Sequence, residues 1–144
     1  MTTLRAGTGA ERRGLSDPAQ CRDRTPDHHA FWSERREAEL RPLVTPELIA
    51  EHERDPAGER HDHSHDLQKL LTYLRCQPSV GKAFILTERG FESYRVGILA
   101  GRDQPVSFPD ERRYASEQEA AHAIFLRRLA DVGVDVAALT GGAR

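Results

Sequence analysis

Arg75-Cys76-Gln77-Pro78-Ser79-Val80-Gly81-Lys82 is the stretch on which the fold turns. Pro78 has no backbone N–H and pushes Gln77 out of helical angles, so a helix arriving from the N-terminal side must end there. Gly81 then frees the backbone for a turn. On the N-terminal side, Leu67, Leu70, Leu71 and Leu74 recur at i, i+3, i+4 and i+7, the spacing of one apolar helix face. Ser64 precedes that stripe as an N-cap, and Tyr73 lies beside it as a packing residue. On the C-terminal side, Lys82-Ala83-Phe84-Ile85-Leu86-Thr87 reads as a strand and Glu88-Arg89-Gly90 as a turn. Ser93-Tyr94-Arg95-Val96-Gly97-Ile98-Leu99 reads as the returning strand. The joint thus separates a helical half from a sheet-forming half, an α+β chain.

Farther out, Tyr94, Val96 and Ile98 alternate with Arg95, Gly97 and Leu99, so one face of the hairpin has to be covered. The expected cover is a C-terminal helix opened by the capping box Ser116-Glu117-Gln118-Glu119. Ala120, Ala121, Ile124, Phe125, Leu126 and Leu129 form its apolar side. Residues 101–109 read as a polar loop, and Arg113-Tyr114 as a short third strand at the sheet edge. Toward the N-terminus, Thr25-Pro26-Asp27 starts a helix running to about Arg41, with Thr25 as cap. That helix is charged on most sides, and Phe31-Trp32 is its aromatic anchor. Thr45-Pro46-Glu47 repeats the device for a short helix that ends before Asp55-Pro56. Residues 1–20, interrupted by Gly7, Gly9, Gly14 and Pro18, read as a disordered tail, and 133–144 as a flexible one that frays. A single domain over 21–132 remains.

Charged residues make up 31% of the 144-residue chain and the hydrophobic set 38%, below the roughly 45–50% of an ordinary globular domain. So thin an apolar share points either to a small core with long solvated arms or to a fold completed against a partner, the second favoured by the widely spread aromatics, and to marginal stability of the isolated chain. A net charge of −2 gives no electrostatic reason to expect nucleic acid or an anionic membrane. No apolar run reaches bilayer length and the start lacks the apolar core of a signal peptide, so the expectation is a soluble cytoplasmic protein. Cys21 and Cys76 form no spacing motif and read as free thiols. The densest chemical cluster is His61-Asp62-His63-Ser64-His65-Asp66. Its imidazoles, His61, His63 and His65, suit zinc, nickel or iron, but they stand at i, i+2 and i+4 in an irregular loop rather than on one helix face. Both a metal site and a solvated loop remain open, and no cofactor is assigned to the chain from these residues.

Taken in order, the 75–82 joint, Glu92-Ser93-Tyr94-Arg95-Val96 and the helix from Glu117 to Arg128 resemble the small (alpha) subunit of N,N-dimethylformamidase. The likeness extends to Cys21-Arg22-Asp23-Arg24 and Phe31-Trp32-Ser33-Glu34-Arg35-Arg36, and so covers most of 21–132. The resemblance implies a hetero-oligomeric, cytoplasmic hydrolase that cleaves N,N-dimethylformamide to dimethylamine and formate. It further implies that iron and the catalytic residues belong to the large (beta) subunit, with none on this chain. The small subunit then acts as a stabilising partner, and its expected contacts are Phe31, Trp32, Arg75, Gln77, Pro78, Lys82, Arg127 and Arg128. A competing reading is a sheet-plus-helix nucleic-acid-binding module of AP2 type, which needs Lys82, Arg89, Arg95 and Arg102 unopposed on the sheet. Glu88, Glu92, Asp103, Asp110 and Glu111 stand against it. A third is a metalloenzyme built on the histidine loop.

Overall fold

The computed structural model describes residues 23–141; the tail expected over 1–20, Cys21 and residues 142–144 lie outside the described residues. The elements are α1 Thr25–Leu40, α2 Pro46–Arg54, α3 His65–Arg75, β1 Ala83–Glu88, β2 Ser93–Ile98, β3 Arg113–Tyr114, α4 Glu117–Asp131 and α5 Val136–Thr140. This is the helices-then-sheet order the joint implies, an α+β chain. The chain divides between Arg35 and Arg36, inside α1. In the first part Asp23 Oδ1 accepts from Thr25 N at 2.9 Å, so the aspartate takes the capping role that the sequence assigned to Thr25. Phe31 and Trp32 are 69% and 49% exposed, so the expected aromatic anchor stands at the surface.

In the second part, helices begin where a side-chain oxygen can take an orphan N–H. Thr45 Oγ1 accepts from Leu48 N at 3.2 Å, Ser64 Oγ from Leu67 N at 3.3 Å, and Ser116 Oγ from Glu119 N at 3.2 Å. The return bond of the capping box lands one residue early: Ala115 N donates to Glu119 Oε2. A 3-10 turn, Arg41–Leu43 with Pro42 inside, redirects α1 into α2.

Two apolar clusters form. Leu40, Val44, Leu48, Ile49, Leu67, Leu70, Tyr73 and Leu74 pack with Phe125 and Leu129 of α4 and with Val132 just beyond it. Val96, Tyr114 and Ala120 form the second, joined by Ala83, Ile85, Tyr94, Ala123 and Ile124. The sequence made α4 a cover for the sheet; it also closes the helical core. Tyr73 is buried within that core and donates its hydroxyl proton to Glu37 Oε1 at 2.7 Å.

The sheet is antiparallel with order β1-β2-β3, Ala83 opposite Ile98, Glu88 opposite Ser93 and Tyr94 opposite Tyr114. The β1–β2 turn runs one residue farther than expected. Arg89, Gly90 and Phe91 take φ of 48°, 62° and 72°, which leaves Phe91 three-quarters exposed. The largest departure lies beyond Val132. Gly133, at φ +86°, ends α4, with Gly133 N bonded to Ala130 O and Val134 N to Leu129 O, the paired bonds of a Schellman cap. Asp135 Oδ1 then caps α5, and Val134, Val136 and Leu139 pack on the helical core, so 133–141 is structured where the sequence reading leaves a fraying tail. A Cβ at Gly133 would meet Arg41 Nε at 3.1 Å and sit in the left-handed region. Gly133→Ala is therefore expected to cost about 1 kcal/mol or more in urea unfolding. An unchanged midpoint would contradict the cap.

Candidate functional site

The joint is built around the C-terminus of α3, where the last carbonyls of a helix have no partner within it. Gln77 Nε2 donates to Tyr73 O at 3.2 Å, Lys82 Nζ to Arg75 O at 2.7 Å, and Arg128 Nη2, reaching across from α4, to Leu74 O. Burial holds the Arg128 guanidinium below the usual arginine range, and Asp131 partly offsets this. Among the residues expected to meet a partner, Gln77, Lys82 and Arg128 thus direct polar groups inward, while Arg75, Pro78 and Arg127 are exposed. Arg128→Met is expected to lose about 1–2 kcal/mol of stability, and Arg127→Ala less than about 0.5. Urea midpoints of the two variants check the contrast.

Of the four cations that the nucleic-acid reading needs, Lys82 and Arg95 are engaged within the chain, while Arg89 and Arg102 are exposed. Arg95 stacks on Phe108 with its Cζ 4.1 Å from the ring centre, and donates to Asp110 O and Glu111 Oε1. Arg113 pairs with Glu88 at 2.8 Å.

The histidine loop folds around Asp55, which is 5% exposed. Its carboxylate accepts from the backbone N–H groups of Glu59, Arg60 and His61 at 2.8–3.1 Å, and its carbonyl accepts from His63 Nε2 at 2.7 Å. Burial alone would raise this carboxyl's pKa, but those N–H bonds and nearby His63 hold it below the ordinary value. His61 and His63 share a pocket with Glu51, Arg54, Asp55 and Asp62, and His65 does not line it. Among the described residues no set of three His, Cys, Asp or Glu side chains is placed to hold one ion. Cys76 is a free, exposed thiol.

The imidazoles that do come together are ones the sequence reading passed over. His52 of α2 is 4% exposed and lies flat on Phe125 of α4, with ring centres 3.9 Å apart and planes at 10°. Its Nδ1 is 3.0 Å from Nδ1 of His122, so one ring donates to the other, and the His63 ring stacks at 6.4 Å. The signal was present: His52 follows Leu48 and Ile49 at helical spacing, and His122 precedes Phe125 and Leu129. Burial first, then the charges that His122 and His63 would carry, push His52 down to about 3. Burial also lowers His122, against the opposing pull of Glu53.

The unfolded imidazoles titrate near 6.5, so between there and about 3 the unfolded chain binds protons that the folded chain does not. Stability should accordingly be full above about pH 6.5 and fall as pH drops through that window, with Asp55 adding loss at its acid end. Urea unfolding at pH 7.5 and pH 5 reads the slope, and His52→Leu should flatten it.

Comparison with known proteins places this arrangement among relatives. The family described as N,N-dimethylformamidase alpha subunit matches residues 27–138. An N,N-dimethylformamidase alpha subunit from an Alcaligenes species is 38% identical over 132 residues, covering 90% of this chain and 99% of that protein. Another from Paracoccus aminophilus is 38% identical over 120 residues, covering 82% of this chain and 84% of its own.

Proposed function

Because the chain belongs to the N,N-dimethylformamidase alpha-subunit family, we propose that it is the small, non-catalytic subunit of an amide hydrolase that converts N,N-dimethylformamide and water to dimethylamine and formate. The observation that carries this is the extent of the match, nearly the full length of the Alcaligenes relative. In this reading a large (beta) subunit holds the iron and the reacting groups, and the assembly is a cytoplasmic hetero-oligomer. The uses to which the buried polar groups here are put support it. Asp55 orders a loop, His52 and His122 join two helices, and Arg128 caps a third. Each of these groups holds the chain together, which fits a subunit whose role is structural. No helix among the described residues is long and apolar enough to cross a membrane.

The contribution is then thermodynamic: a subunit that binds the folded large chain and not the unfolded one stabilises it by mass action. Phe31, Trp32, Arg75, Pro78 and Arg127 are the exposed residues offered for that contact. The test is affinity purification of the tagged chain from its host, with metal analysis and an assay for dimethylamine release. A stoichiometric larger polypeptide carrying iron and the hydrolytic activity is expected, with neither in the isolated chain. A tagged chain that purifies without a partner, or one that hydrolyses the amide alone, overturns the proposal.

A further inference from the structure

Strand β1 lies at one edge of the sheet and, among the described residues, its backbone hydrogen-bonds to β2 alone. The bond from Leu99 N to Lys82 O fixes the phase of that ladder. By the alternation of an antiparallel pair, Phe84, Leu86 and Glu88 then bond toward β2, while the backbones of Ala83, Ile85 and Thr87 face away from it. Edge strands are normally blunted by an internal charge, a proline or a bulge. The run Ala83-Phe84-Ile85-Leu86-Thr87 has no charge and no proline, and every residue from Ala83 to Glu88 is in register with β2. Phe84 and Leu86 are half-buried on the sheet face opposite α4, with Phe84 lying across Gly97, where a Cβ would come within 2.4 Å of the ring.

The run is also self-complementary. Set antiparallel to its own copy about a two-fold axis at Ile85, it pairs Ile85 with Ile85 and Ala83 with Thr87, the positions whose N–H and C=O are turned outward. The same register sets Phe84 against Leu86 on one face and Lys82 against Glu88 at both ends. Lys82 keeps donors beyond the one given to Arg75 O, and Glu88 keeps acceptor capacity beyond Arg113. We propose that β1 is a self-association edge, joining a second copy of this chain into a continuous six-stranded antiparallel sheet with both α4 helices on one side. Isologous closure of this kind consumes the edge completely, because each copy covers the other.

This inference does not rest on the amide-hydrolase assignment, and the two fail separately: the mass of the full-length chain in solution tests only this one. Light scattering after size exclusion is expected to give twice the chain mass. Leu86→Lys, which sets a charge against Phe84 of the other copy twice per dimer, should weaken association about tenfold. Lys82→Glu and Glu88→Lys should each fail to dimerise, since each brings like charges together at both ends. An equimolar mixture of these two variants should regain the dimer, because every end pair is then opposite in sign. That rescue also shows that both variants are folded. A wild-type chain that stays monomeric, or a mixture that regains nothing, overturns the proposal and leaves the edge to a strand from another polypeptide.

Discussion

α4 has to satisfy two cores at once, and the arrangement of the second part of the chain follows from that demand. Ala120, Ala123 and Ile124 meet the sheet, while Phe125, Leu129 and Val132 meet α2 and α3. A helix ordinarily shows one apolar stripe and one wet face. Here the apolar residues are spread around much of α4, so its sequence reads as only weakly amphipathic. Small residues on the sheet side let the helix approach the strands closely, and the bulk of Phe125 and Leu129 fills the other side. Neither cluster is large, and each is completed by α4, which couples the helical half to the sheet half.

The seam between α2 and α4 shows how polar groups substitute for missing bulk. His52 supplies an aromatic face to Phe125 while its Nδ1 meets His122, so one buried residue serves as packing and as hydrogen-bond partner. The arrangement disfavours charge on the rings, because burial penalises each imidazolium and protonating both puts like charges about a hydrogen-bond length apart. A charged residue does comparable work at the other seam. Arg128 spans from α4 to the end of α3 and satisfies a carbonyl that the helix cannot satisfy itself.

Local devices were legible in the sequence because their partners lie within a few residues. The caps at Thr45, Ser64 and Ser116, the leucine stripe of α3 and the stop at Pro78 all belong to this class. What the sequence hid depends partly on contacts between distant residues and partly on backbone conformations that no local pattern announces. Arg128 reads as an outward cation, since nothing local says that a helix end 54 residues away needs a donor; Lys82 reads the same way although the carbonyl it meets, Arg75 O, is only 7 residues away. Asp55 looked like a mere helix stop, and His61, His63 and His65 drew attention as a cluster, yet Asp55 is what the loop folds around. Gly133 looked like the beginning of a frayed end; its left-handed conformation instead sends the chain back onto the core.

These features bear on why a chain so poor in apolar residues folds at all. Its buried polar groups are nearly all paired within the chain, with Ser93 Oγ and Arg95 Nε the exceptions recorded among the described residues. Pairing keeps burial from becoming a penalty but contributes little net stability, about 1 kcal/mol per bond. The margin must come from apolar surface, and the described chain leaves Phe31, Trp32, Val80, Phe91, Leu99 and Val106 substantially exposed. Exposed apolar area of that kind is stability still to be realised when another surface covers it. For a chain with such a balance, covering those side chains would add to the free energy that holds the fold, so burial at a contact surface and folding draw on the same apolar term.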